Sequence, residues 1–97
     1  MSTNTLELTA ALSHMESLRY TPAGIPALNV SLEHSSEQIQ LGSPRSVRLE
    51  IKAMAFGGVA ERLAQQALGT VWQFKGFLAN ARQGKSVVFH IQEFLTL

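Results

Sequence analysis

The sequence predicts a small all-β barrel carrying one short helix. Three observations predict it. Several segments alternate apolar and polar residues with period two, the pattern of strands buried on one face. Turns rich in glycine and proline separate some of these segments. One stretch, just after Gly57-Gly58, changes to helical spacing.

The first strand is read over residues 5–12, where Leu6, Leu8, Ala10 and Leu12 alternate with Glu7, Thr9 and Ala11. Leu8, Ala11, Leu12, Met15 and Leu18 also satisfy helical spacing, and local propensity in residues 10–19 leans the same way. The strand is preferred because a turn and further strands follow, and tertiary context overrides propensity in such a meander. The turn is Tyr20-Thr-Pro-Ala-Gly-Ile-Pro26, with Gly24 free to adopt positive φ. The second strand, residues 27–34, sets Leu28, Val30 and Leu32 against Asn29, Ser31 and Glu33. Glu33-His34 at its end can pair electrostatically, but a structural hydrogen bond is the better fit.

Residues 35–46 read as a long polar loop. The third strand, 47–53, points Val47, Leu49, Ile51 and Ala53 one way and Arg48, Glu50 and Lys52 the other. A helix over residues 59–67 follows, with Val59, Leu63 and Ala67 on one stripe and Gly69 as its stop. The fourth strand covers 70–80 and the fifth 86–94, joined through Gln83-Gly84-Lys85. In the fourth, Trp72 and Phe74 share the inward parity, rejoined by Leu78 past Gly76; Val71, Gln73, Lys75 and Phe77 face out. Gly76 fits the bulge or sharp coiling that a small barrel needs. Five strands with a helix between strands 3 and 4 is the order of the OB-fold, whose helix plugs one end of a coiled sheet.

A chain of 97 residues is expected to form a single OB-fold domain over residues 1–97. No apolar run reaches the ~18–20 residues of a membrane span, and Met1-Ser-Thr-Asn lacks the basic, apolar start of a signal peptide. There is no cysteine. A cytoplasmic protein is expected. There is also no aspartate, and His14, His34 and His90 are scattered. No catalytic triad, metal set or phosphate-cradling glycine loop can be assembled. The expectation is therefore a non-enzyme without metal or cofactor, with His90 as a surface or interface residue.

Charge is uneven. Residues 1–44 hold Arg19 against Glu7, Glu16, Glu33 and Glu37, a net of −3. Residues 45–97 hold seven basic residues against Glu50, Glu61 and Glu93, a net of +4. A basic half can meet phosphate, and single strands are bound by cations that track phosphates and flat side chains that stack on bases. The candidates are Arg48 and Lys52 on the outer face of the third strand, Lys75 and Phe77 on the fourth, and Arg82 and Lys85 beside Gly84.

The turn Tyr20-Thr-Pro-Ala-Gly-Ile-Pro26, the strand ending Leu32-Glu-His34, the Gly69…Gly76-Phe77 strand and Phe89-His-Ile-Gln together resemble the primosomal replication protein N (PriB) family, over about residues 5–95. That family is related to bacterial single-strand-binding proteins. The resemblance implies homodimers of OB barrels that bind single-stranded DNA and assist the primosomal helicase, a bacterial role in replication restart without catalysis. It also implies DNA contacts at Arg82 and Lys85 in the loop between strands 4 and 5, at Arg48, and at Arg19 before the turn. Departures are visible. Arg48 stands where the family often has a stacking tryptophan, and the 4–5 loop is shorter with fewer lysines. The connection between strands 3 and 4 is more clearly helical. The expected outcome is modest, electrostatic binding of single strands, with a protein-interaction module as the alternative. Outward Val71, Phe77 and Val88 make a dimer the expected state.

Overall fold

The computed structural model describes residues 2–97. Its elements are β1 (Leu6–Met15), β2 (Arg19–Tyr20), β3 (Pro26–Gln40), β4 (Ser43–Phe56), α1 (Gly58–Ala64), β5 (Val71–Asn80) and β6 (Val87–Leu95). They form one sheet in the order β1-β5-β6-β4-β3-β2, and β1 also pairs with β3. That second pairing closes the barrel. The first part of β1 pairs with β5 (Leu6↔Gly76 to Ala11↔Val71), and its last part pairs with β3 (Ala11↔Glu33 to Met15↔Val30). Five long strands thus make a closed barrel with one short helix, as the sequence predicts. The extra strand, β2, is two residues pairing with Pro26 and Ala27.

Alternation is what closes the barrel around a core. Leu12, Leu28, Leu32, Leu63, Phe74 and Phe89 are fully buried, each contributing roughly 1.5–3 kcal/mol. The helix packs on β3, β4 and β6. Its buried residues are Ala60 and Leu63, and it ends at Ala64. The expected stripe Val59–Leu63–Ala67 is thereby shifted: Ala67 lies beyond the helix and is exposed. Gln65 is the C-cap, whereas Gly69 takes its positive φ of 88° in the turn into β5. The helical reading of residues 59–67 failed at its end: the helix stops at Ala64, with Gln65 as its cap.

The largest departure is at residues 35–46. They are not a loop but a hairpin. β3 runs on to Gln40 and β4 begins at Ser43, with every pair from Ser35↔Arg48 to Gln40↔Ser43 in register. Leu41 (φ 53°) and Gly42 (φ 74°) form the turn; positive φ at both central positions is the geometry that continues strand twist. The polar side chains that signalled a loop simply have water on both sides. The backbone groups that face the partner strand pair in the ladder, and those on the outer edges meet water, so neither set requires burial. This arm lengthens the molecule to 50 Å along its main axis.

His34 ties the arm to the barrel. Its Nδ1 lies 2.6 Å from the Thr9 carbonyl and its Nε2 2.8 Å from Ser36 Oγ. A carbonyl only accepts, so Nδ1–H donates, and the ring replaces a rung where the β1–β3 ladder has ended. Glu33-His34 thus ends in a structural hydrogen bond, as expected.

Gly76 behaves as predicted. The β5–β6 register shifts between Lys75 and Gly76, and a β-carbon at Gly76 would collide with the His90 carbonyl. Trp72 and Phe74 turn inward, with Trp72 edge-on to Phe94 at 5.0 Å and donating from Nε1 to Thr70 Oγ1. Leu78 shares the parity of buried Phe89 opposite it, but it sits at the barrel rim and remains exposed. Asn4 covers that rim, its side chain bonding both Leu78 N–H and C=O. No helix is long and apolar enough to cross a membrane.

Candidate nucleic-acid interface

The outer faces of β3 and β4 carry the residues of polar parity. Across the ladder these are Asn29↔Met54, Ser31↔Lys52, Glu33↔Glu50 and Ser35↔Arg48. Three other elements rise around the barrel end of this face. The first is the end of β1 with β2, which delivers Arg19 and Tyr20. The second is the turn after β2. There Thr21 N–H donates to Ile25 O, and Gly24 N–H donates to Thr21 O; Gly24 has φ 83°, a geometry that glycine adopts at little cost. The third is the loop between β5 and β6, closed by Ala81 N–H donating to Ser86 O.

Together they enclose an open groove of about 610 Å³. Arg19, Lys52 and Arg82 line it. Arg19 Nη2 donates to Asn29 Oδ1 and Lys52 Nζ to Ser31 Oγ, both at 3.4 Å. Both cations therefore lie over the β3–β4 face beside neutral hydrogen-bond partners. Glu16 is on the same wall. Met54, Phe56 and His90 line it as well. In OB folds the face of the second and third barrel strands, between the loops joining strands 1–2 and 4–5, is where oligonucleotides bind. Counted by the long strands, this groove occupies that place.

The other residues singled out from the sequence are distributed differently. Lys85 is exposed in the same loop as Arg82 but outside the groove wall. Arg48 lies at the root of the arm in a separate depression with Glu33, His34 and Glu50. The Glu33–Glu50 pair stands between Arg48 and Lys52 on one face, so the two cations are not continuous. Lys75 Nζ sits 3.5 Å from Glu7 and 3.9 Å from Glu93. Exposed pairs of this kind add little stability, but they neutralise the lysine locally. Phe77 is half-buried, its ring edge-on to His90 at 4.9 Å. It reaches the groove only through that histidine.

Tyr20, Met54 and Phe56 were not singled out from the sequence. For Met54 and Phe56 a signal existed: the outward parity of Arg48, Glu50 and Lys52 continues to 54 and 56, but the strand was ended at Ala53. Tyr20 was absorbed into the turn, and only the β2–β3 pairing turns it to the groove. No group of histidine and carboxylate side chains fit to hold a metal occurs among the described residues.

Comparison with known proteins agrees with this architecture. Residues 4–93 match the family described as "Another single-strand binding protein family". The chain is 47% identical over 91 residues to the replication restart protein PriB of Bordetella pertussis, covering 93% of this chain and 85% of that one. It is similar to the solved structure of PriB from Ralstonia solanacearum, with 39% identity, a TM-score of 0.89 and 98% of each chain covered. It shares its fold with the wild-type single-stranded DNA binding protein of Thermus aquaticus, at 22% identity and a TM-score of 0.77, over 98% of this chain and 50% of that one. By sequence and by structure, the chain belongs to the PriB family of replication restart proteins, within the OB-fold relatives of single-strand-binding proteins.

Proposed function

We propose that this protein is a non-catalytic accessory protein of the primosome that binds single-stranded DNA during replication restart. The observation that carries the reading is the convergence of Arg19, Lys52 and Arg82 on one groove of the OB face. Phosphates meet these cations, with Lys85 joining from the β5–β6 loop. Arg48 supplies a second contact beyond the Glu33–Glu50 pair. Lys75 and Phe77 act at the edge of the site. The protein works in the bacterial cytoplasm as a homodimer and delivers its strand to the primosomal helicase. Exposed Val71 and Leu95, on the outer face of β5 and β6, are apolar surface that a second subunit covers.

Fluorescence anisotropy of a labelled oligonucleotide of about 30 nucleotides, across a salt series, tests the DNA reading. The expected result is binding that weakens with salt, since each neutralised phosphate releases counterion. Undetectable or salt-insensitive binding overturns it. Light scattering at micromolar concentration tests the dimer, and a monomer mass removes it.

A second reading is favoured by the neutralised Lys75 and by the carboxylates beside Arg48. In it the barrel is chiefly a protein-interaction module and DNA contact is incidental. The Arg48→Ala/Arg82→Ala double variant separates the two. Restart activity that survives the loss of DNA binding favours the module.

A further inference from the structure

The outer face of β3 and β4 changes the sign of its charge twice along its length. Lys52 stands at the groove and Arg48 at the root of the arm, with Glu33 and Glu50 directly opposite each other between them. Residues two apart on one face of a strand stand about 7 Å from each other. Glu50 is therefore one such step from either cation, and the two cations are about 13 Å apart. Across the strands the pattern differs. Arg19 lies on β2, Lys52 on β4 and Arg82 in the loop between β5 and β6. In the sheet order these follow one another, so they form a track of cations that crosses the strands.

Like charges directly opposite each other destabilise a ladder. An ion pair would relieve the repulsion, but the ion pairs among the described residues are those of Lys75 with Glu7 and Glu93. Arg48 shares a depression with Glu33 and Glu50 and forms an ion pair with neither. Both carboxylates are exposed, so neither fills the core. What they do instead is place two negative charges on the line from Lys52 to Arg48. A phosphate on that line comes within ~10 Å of both, the screening length at 0.1 M salt.

We infer that the Glu33–Glu50 pair is a barrier that closes the groove toward the arm. It holds a bound single strand to the course across the barrel, from Arg19 over Lys52 to Arg82, and keeps it from running along β3 and β4. Arg48 is reached only by a strand long enough to pass around the pair. The barrier sets course and length rather than sequence, because it acts on the phosphate that every nucleotide carries. This assignment rests on the single-strand reading above and deepens it by fixing where the site ends.

The test uses labelled oligo(dT) of about 6 to 30 nucleotides, bracketing what one OB domain holds, and reads anisotropy over a salt series. Glu33→Gln/Glu50→Gln keeps the shape of both side chains, removes both charges and relieves a repulsion, so it does not weaken the fold. Arg48→Ala is made in the native chain and in this double variant. The probe is the shortest strand that the native chain binds measurably. In the native chain, Arg48→Ala is expected to leave the salt slope on that strand unchanged. In the double variant it is expected to lower the slope by about 0.7, the share of one phosphate contact on a single strand. General weakening of repulsion would instead tighten binding without changing what Arg48 contributes. An Arg48→Ala effect of equal size in the two backgrounds, zero included, therefore overturns the inference and leaves the single-strand reading standing. A native chain that binds no strand of any length overturns that reading and this inference with it.

Discussion

β3 and β4 each change character along their length. At their barrel ends they are half-core: Leu28, Val30, Leu32, Ala53 and Ala55 are buried. In the arm, residues 37–46 are exposed throughout, including Ile39 and the completely exposed Leu41. The ladder between the two strands is continuous through both regions. Hydrogen bonding alone therefore gives the arm its form, whereas packing gives the barrel its stability. The same substitution has different consequences on either side of His34, where the arm is anchored to β1.

Core truncation gives the largest contrast. Phe74→Ala is expected to cost about 3–5 kcal/mol, measured by urea unfolding. Ile39→Ala in the arm is expected to stay within about 0.5 kcal/mol. A comparable loss at both sites would mean that the arm packs on something in solution. Gly76→Ala comes next, at about 1–3 kcal/mol, the cost of forcing atoms into filled space. Its β-carbon meets backbone of β6 rather than a movable side chain. Thermal unfolding reads the loss.

The groove offers the third test. Arg19→Ala and Arg82→Ala should each lower the salt slope of single-strand binding by about 0.7. Lys75→Ala, removed from between Glu7 and Glu93, should leave that slope unchanged. Equal effects would erase the distinction between groove cations and paired surface cations. The smallest effect belongs to the arm's tip. Leu41 holds φ 53°, a region where asparagine is easier to place than leucine. Leu41→Asn is expected to gain about 0.5 kcal/mol by urea unfolding, with DNA binding unaltered.

The barrel was legible because its information is one-dimensional. Alternation at Leu28, Val30 and Leu32 and at Trp72 and Phe74 states which face is inside, and Gly76 marks a place where two backbones touch. The arm was not legible, because residues exposed on both faces alternate nothing: Glu37, Gln38, Gln40, Ser43 and Ser46 read as loop whether or not they pair. The groove was half legible. Arg19, Lys52 and Arg82 were visible as cations in the right segments. Their separation from Arg48 by Glu33 depends on the β3–β4 register, and the neutralisation of Lys75 depends on strands distant in sequence. Phe56 was lost to a strand ended one repeat early, before Met54 and Phe56 could be seen to share the parity of Lys52.

The place of β6 in the sheet has a consequence for how the chain acquires its shape. It is the last strand in sequence, yet it lies between β5 and β4 and brings Phe89 and Ile91 to the core. Until it docks, those two strands have no common neighbour, and the pairing of Ala53 with Phe89 must span 36 residues. Contacts of such separation make folding slow, since the loop must close before they form. On the ribosome, the β3–β4 hairpin can zip as soon as it emerges, while the barrel waits for residues 87–95 to clear the exit tunnel. Its apolar interior stays uncovered for that interval, when a nascent chain most needs chaperones.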